Sequence, residues 1–312
     1  MTDTTGEFGF IRWVVARSGS HPRVPLGPGD DTAGVLLRGD RQTLLTTDML
    51  LEGSCFLLAE AGAVRVGRKA MNVNLSDIAA MGGTPVCALV SVALPRGGGS
   101  SLARDLYLGL REAADRFGTA IAGGDTNTWD GRLSISVTLV GESSDLGPVR
   151  RDGAKAGDWV FATGAFGGSI LAHHLDFTPR LAEAAELVRD FHPRSMIDVS
   201  DGLSAELWHI CEASGLGATL DADAIPIAGD ARTLAVRTGR TPLDHALSDG
   251  EDFELIFTLS PEEGRLLLER GTLAGTEVTK VGEMTAARDY RLRRADGTTE
   301  VLEPRGYVHS MS

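Results

Sequence analysis

Apolar and polar positions alternate along the chain with two periods, and their succession predicts the architecture. Phe10, Ile11, Val14 and Val15 form the stripe of a short amphipathic helix over Phe8–Ser18, before a turn-rich passage through Pro22, Pro25, Gly27 and Pro28. Strand-like segments follow at Thr32–Leu37 and Gln42–Thr46, then a long helix over Ala61–Met81 and a buried strand over Val86–Leu94. Leu106, Leu110 and Ala113 share one side of a second helix, Leu102–Phe117, with charges on the other. Thr119–Ala122 reads as a short strand ending at Gly123-Gly124-Asp125, and Leu133–Val140 alternates as another.

At Gly141–Gly157 the periodicity lapses into Gly, Ser, Pro and charged residues, which predicts a domain boundary. Beyond it lie a strand Trp159–Thr163, a Gly-rich turn Gly164–Gly168 and a helix reaching His174. Helix Leu181–Phe191, strand Met196–Val199, helix Leu203–Ser214 and strands Ala218–Asp221 and Glu254–Leu259 complete the pattern. Alternating elements in both halves predict an α/β (α+β) protein of two domains, residues 1–148 and 149–312.

Length and composition agree: 312 residues suffice for two cores, and 42% hydrophobic with 23% charged residues is globular. With 30 Lys+Arg against 43 Asp+Glu the net charge is −13, which argues against nucleic acid or an anionic membrane as partner. Cys55, Cys87 and Cys211 are too few and scattered for a disulfide framework, so a cytoplasmic setting is expected. The start lacks the basic flank and apolar core of a signal peptide. The uncharged run Ile78–Pro95 approaches membrane-spanning length but is split by Gly82-Gly83-Thr84-Pro85.

The candidate chemistry is a recurring design, an apolar strand that ends in a small polar residue and an aspartate. It occurs at Gly29-Asp30-Asp31, Thr46-Thr47-Asp48, Gly123-Gly124-Asp125 and Asp198-Val199-Ser200-Asp201, with Asp77 added from a helix. Singly, each reads as turn chemistry, and Asp201 as a helix N-cap. Together, carboxylates and hydroxyls with few His or Cys beside them suit Mg²⁺, which takes carboxylates plus phosphate oxygens. No P-loop or protein-kinase signature is present.

Seven segments in order closely resemble the thiamine-monophosphate kinase family, in the aminoimidazole-ribotide synthetase-like superfamily. In the first half they are Gly29-Asp-Asp-Thr-Ala, Thr46-Thr-Asp-Met-Leu-Leu-Glu-Gly, the stretch from Gly67 to Gly82 around Asn74-Leu-Ser-Asp77, and Ile121-Ala-Gly-Gly-Asp-Thr. In the second they are Arg151-Asp-Gly-Ala-Lys-Ala-Gly-Asp, Ile197-Asp-Val-Ser-Asp-Gly-Leu and Gly250-Glu-Asp-Phe-Glu-Leu. The resemblance implies a homodimer that pairs N-terminal sheets, with ATP as co-substrate, several Mg²⁺ and thiamine monophosphate as acceptor. It implies a Mg²⁺ shell of Asp31, Thr46, Thr47, Asp48, Asp77, Asp125, Asp198 and Asp201, of which Asp48 and Asp125 are the expected catalytic pair. Nucleotide contacts fall to Tyr107, Gly124, Asp125, Arg151 and Ser200, and substrate contacts to Glu251 and the positions of Cys55 and Pro304.

Two residues depart from the family pattern. Cys55 stands where the family has a histidine, and Pro304 where it has an aromatic residue that stacks on the thiamine ring. Both are on the acceptor side. Two other readings therefore stand beside the first: a superfamily enzyme with a different phosphate or amide acceptor, and a non-catalytic nucleotide-binding homologue.

Overall fold

The computed structural model describes residues 13–24, 35–97 and 99–307. Two compact units divide the chain, Met1–Ile78 with Gly83–Gly147, and Ala79–Gly82 with Pro148–Ser312. Among the described residues no helix is long and apolar enough to cross a membrane.

The first unit is built on a four-stranded sheet of order β1-β4-β2-β3, from β1 (Thr43–Leu51), β2 (Thr84–Pro95), β3 (Ala120–Trp129) and β4 (Ser134–Glu142). β4 pairs antiparallel with β1 and β2, and β3 runs parallel to β2. Helices α1 (Ala63–Ala80) and α2 (Gly99–Arg116) lie so close that a Cβ on Gly67 would sit 2.1 Å from the Leu106 carbonyl oxygen. A Cβ on Gly109 would lie 1.8 Å from that of Val64, so glycine alone lets these backbones meet.

Strand alternation gives the sheet two distinct faces. Ile135, Val137 and Leu139 of β4 are fully buried on one face, which β1 extends with Thr46, Asp48 and Leu50. The other face carries Leu45 and Met49 of β1, 71% and 63% exposed, and Leu89 of β2, 44% exposed.

In the second unit the sheet order is β12-β11-β7-β10-β5-β8-β6, with β9 (Thr272–Leu273) paired on β10. The strands are β5 (Trp159–Thr163), β6 (Ser195–Asp198), β7 (Gly217–Asp221), β8 (Leu255–Leu259), β10 (Thr276–Thr285), β11 (Tyr290–Arg293) and β12 (Thr299–Val301). All neighbours are antiparallel except β11 and β7. Helix α3 (Leu181–Asp190) precedes β6, and α4 (Leu203–Ser214) joins β6 to β7. Leu203, Leu207, Ile210 and Cys211 of α4 are fully buried in one cluster with Val160, Ile197 and Ile256. The long hydrophobic runs of β5 and β8 follow from burial on both faces.

Several expectations from the sequence are corrected. β1 and β3 do not stop at Asp48 and Asp125; both strands continue through the aspartates, which sit in mid-strand. Cross-strand pairing with β4 and β2 carries the backbone past residues that alone favour turns. Val35–Leu37 is irregular rather than strand, and the rest of that segment lies outside the described residues. Of the Phe8–Ser18 helix, the described part holds one helical turn at Trp13–Val15. Gly164–Gly168 leads into a 3₁₀ turn at Ser169–Leu171 and a short helix at His173–Asp176, not one continuous helix.

Candidate active site

In the first unit, the face of the sheet beneath α1 carries an acidic group. Thr46 of β1 donates its hydroxyl to the Asp77 carboxylate near the end of α1. Asp48, two residues further along the same face, shares a hydrogen bond with Asp77. Burial first, and then the neighbouring negative charge, pushes the Asp48 carboxyl up to about 7. The donors this pair offers are all hard oxygens. Among the described residues no three His, Cys, Asp or Glu side chains form a group that could hold a metal ion alone. Mg²⁺ does not require one, since it takes one or two carboxylates together with waters and phosphate oxygens. The residues present therefore fit that ion.

The other first-unit candidates lie elsewhere. Thr47 is on the opposite face of β1, where its hydroxyl is 3.0 Å from that of Thr138. Asp125 is in register with Ser91, Ser136 and Met49, one row beyond the Asp48–Val137–Val90–Gly124 row. That places it on the exposed face with Thr47 and not with Asp48 and Asp77. Gly124 admits no side chain, because a Cβ would meet the Val90 carbonyl oxygen at 1.9 Å. Tyr107 is buried in α2, edge-on to Trp13 with ring centroids 5.4 Å apart and its hydroxyl 3.4 Å from Ser18. Asp31 lies outside the described residues.

Cys55 closes a tight turn after β1, accepting from the Leu51 amide through Sγ at 3.5 Å. The ammonium of fully buried Lys69 donates to the Cys55 carbonyl at 2.8 Å, which ties this turn to α1.

In the second unit, Asp198 ends β6 and is buried. Ser200 and Asp201 follow in the turn into α4, where Glu206 receives the Ser200 hydroxyl at 3.0 Å and the Asp201 amide at 3.1 Å. The N-cap position of α4 is Gly202, so Asp201 does not cap the helix. Glu251 donates its amide to the Ser200 carbonyl at 2.6 Å, and Phe253 donates to Val199 at 2.8 Å. The chain near Pro304 docks on the same turn: Tyr307 donates to the Asp201 carbonyl, and the Ser204 hydroxyl donates to that of Arg305. Pro304 itself is exposed. The second unit thus gathers Asp198, Ser200, Asp201, Glu251 and the Pro304 segment. Arg151 begins a 3₁₀ turn over Arg151–Gly153; its carbonyl accepts from the Ser214 hydroxyl at 3.0 Å, and the neighbouring Arg150 carbonyl accepts from the Met196 amide of β6 at 3.3 Å.

Sequence reasoning missed three side chains that shape this turn. Glu206 lies one turn into α4, and its signal was a glutamate just inside a helix start. His174 has its Nδ1 3.1 Å from the Glu251 carboxylate. Asp252 is buried, with Oδ1 receiving the Gly167 amide at 2.8 Å and Oδ2 lacking a hydrogen-bond partner among the described residues. Burial, and then the charges of Glu254 and Asp249, drive its carboxyl well above the usual range.

Family models for the N-terminal and C-terminal domains of AIR synthase related proteins match residues 29–143 and 153–294. Fold and acidic turns together thus define a two-domain AIR synthase-related protein. A thiamine-monophosphate kinase of Rhodopirellula baltica is 42% identical over 310 residues, covering 97% of each chain. The crystal structure of thiamine-monophosphate kinase from Stenotrophomonas maltophilia K279a is 31% identical, with a TM-score of 0.80 over 94% of this chain and 97% of that one. A structure of AaThiL complexed with AMPPCP and TMP is 29% identical, with a TM-score of 0.77 over 99% of this chain and 98% of that one. The chain belongs to the thiamine-monophosphate kinase family.

Proposed function

We propose that this chain transfers the γ-phosphoryl group of ATP to the phosphate of thiamine monophosphate, giving thiamine diphosphate and ADP. The observation that carries this reading is the 42% identity to a thiamine-monophosphate kinase over 97% of both chains. The AaThiL complex with AMPPCP and TMP supports the same pair of substrates.

An acceptor phosphate oxygen attacks Pγ in line while the bond from Pγ to the β-bridging oxygen breaks and ADP leaves. The attacking oxygen is already anionic, so no strong general base is needed. Bound Mg²⁺ would neutralise the charge on the phosphates. Asp48 and Asp77, with Thr46 holding the Asp77 carboxylate in place, are the side chains that would hold such an ion in the first unit. Asp125 and Thr47 would act from the other face of that sheet, and Asp31 belongs to the same expected set. In the second unit Asp198 and Asp201 are the metal-side carboxylates, and Ser200 is the nucleotide contact, oriented by Glu206. Gly124, Tyr107 and Arg151 are assigned to the nucleotide, Glu251 to the acceptor. Cys55 and Pro304 mark acceptor-side positions where this chain differs from its family.

The active form is a homodimer, a reading supported by the exposed apolar side chains of Leu45, Met49, Leu51 and Leu89 on one face of the first sheet. The three free thiols suit a cytoplasmic setting.

The test is ADP release from Mg-ATP with and without thiamine monophosphate, followed by a panel of other phosphate and amide acceptors. Turnover that requires thiamine monophosphate upholds the reading. Turnover only with another acceptor, or Mg-ATP binding with no ADP from any acceptor, overturns it.

A further inference from the structure

The Gly-rich turn Gly164–Gly168 matches no nucleotide loop, yet with the histidines that follow it forms a clasp on the acidic loop Asp249–Asp252. Gly168 donates its amide to Asp249 Oδ2 at 3.0 Å, and Gly167 donates to Asp252 Oδ1 at 2.8 Å. The Ser169 hydroxyl donates to the Gly250 carbonyl at 2.5 Å, and the His173 ring Nε2 donates to that of Asp252 at 3.0 Å. His174 completes the clasp, with Nδ1 3.1 Å from Glu251 Oε2. Its imidazole is buried, while the Glu251 side chain retains 36% exposure.

The loop so held is strained. Glu251 and Phe253 adopt φ of +53° and +52° without being glycines. Such conformations are unfavourable for residues other than glycine and persist where the surroundings enforce them. The amide bonds to Ser200 and Val199 fix the backbone, and the Phe253 ring stacks on Phe177 at 3.9 Å. None of these sets the direction of the Glu251 carboxylate, whose side chain has several rotatable bonds to restrict. The His174 ring is a rigid, buried group in position to do so.

We propose that His174 is a positioning residue that holds the Glu251 carboxylate in the orientation that receives the thiamine moiety of the acceptor. This rests on the reading above, in which Glu251 meets the acceptor. A carboxylate restrained before binding pays less ordering entropy when a cationic or amine-bearing heterocycle arrives. The role therefore shows in acceptor affinity and not in nucleotide affinity.

The experiment compares His174→Leu and His174→Asn with the wild type, measuring KM for thiamine monophosphate and for ATP separately. Asparagine keeps an N–H donor near the place of Nδ1, and leucine keeps bulk alone. Expected is a rise in acceptor KM of about tenfold in H174L, with ATP KM within twofold, and recovery of most of the loss in H174N. A double-mutant cycle of His174→Ala with Glu251→Gln adds a second readout, because H174A removes the ring outright and should cost nothing further once the carboxylate is gone. That cycle still decides the matter if H174L does not fold. Equal changes in both KM values, unmoved acceptor KM, or additive effects in the cycle overturn the proposal while leaving the kinase reading standing. A wild type inactive toward thiamine monophosphate overturns both.

Discussion

Glu251 and Ser200 are joined through their backbones, the amide of one donating to the carbonyl of the other at 2.6 Å. One belongs to the expected acceptor side and the other to the nucleotide side. The bond makes the two loops a single piece, so their relative placement does not depend on either loop ordering by itself.

The Asp48–Asp77 pair makes a clear prediction about divalent ions. Asp48→Asn removes a negative charge from a partly buried site that already holds a second one. Expected is a loss of turnover of at least about 10²-fold in a folded protein. Thermal scans with and without Mg-ATP check it: the wild type gains stability from the ion and nucleotide, and the variant gains less. Near-normal activity of D48N at saturating Mg²⁺ and ATP refutes the assignment.

Assembly should depend on the exposed face of the first sheet. Replacing Leu45 and Met49, 71% and 63% exposed, by aspartate places charge where a partner sheet would bury oil. Light scattering after size exclusion should find the wild type as a dimer and the double variant as a monomer. Both monomeric, or both dimeric, removes this surface as the interface.

Asp252 gives a pH dependence whose sign is fixed. Its native carboxyl titrates well above the ordinary value, so above about pH 4 the native chain keeps a proton that the unfolded chain releases. Stability from this group is therefore present in acid and lost as pH rises, at up to about 1.4 kcal/mol per unit. Asp252→Asn keeps the acceptor for the Gly167 amide and cannot ionise. Denaturant unfolding between pH 5 and pH 8 should show a flatter profile for D252N, most stabilised relative to wild type at the alkaline end.

Gly124→Ala is expected to damage the fold and not only the site. The added Cβ would press on the Val90 carbonyl oxygen, backbone of the neighbouring strand that cannot step aside. A stability loss on the order of 2–4 kcal/mol follows. Gly39→Ala is the control, since nothing lies within 4 Å of its Cβ position. Comparable melting temperatures for G124A and G39A contradict the close approach of β3 to β2.

Much of the framework could be read from the sequence, for reasons particular to each element. Trp159–Thr163 and Leu203–Ser214 came out with the observed bounds because their flanks are marked by glycines and their apolar pattern is unbroken. The ends of β1 and β3 were misread because Thr-Thr-Asp and Gly-Gly-Asp look like stops, while partners on β4 and β2 supply the pairing that overrides them. The meeting of Asp48 with Asp77 was implied by family resemblance alone, since no local period links a mid-strand residue to a helix end. Which face Asp125 takes depends on register, and register is set by neighbours distant in the chain. His174 and Glu251 left no trace of their pairing, being brought together only when β5 and β8 align.

The nine residues of β1 present Thr46 and Asp48 on one side and the apolar side chains of Leu45, Met49 and Leu51 on the other. An insertion or deletion of a single amino acid there would exchange the two sets at a stroke. Evolutionary drift in this stretch is consequently confined to replacement of one side chain by another, whereas length changes can accumulate in the glycine-rich connector that follows β4.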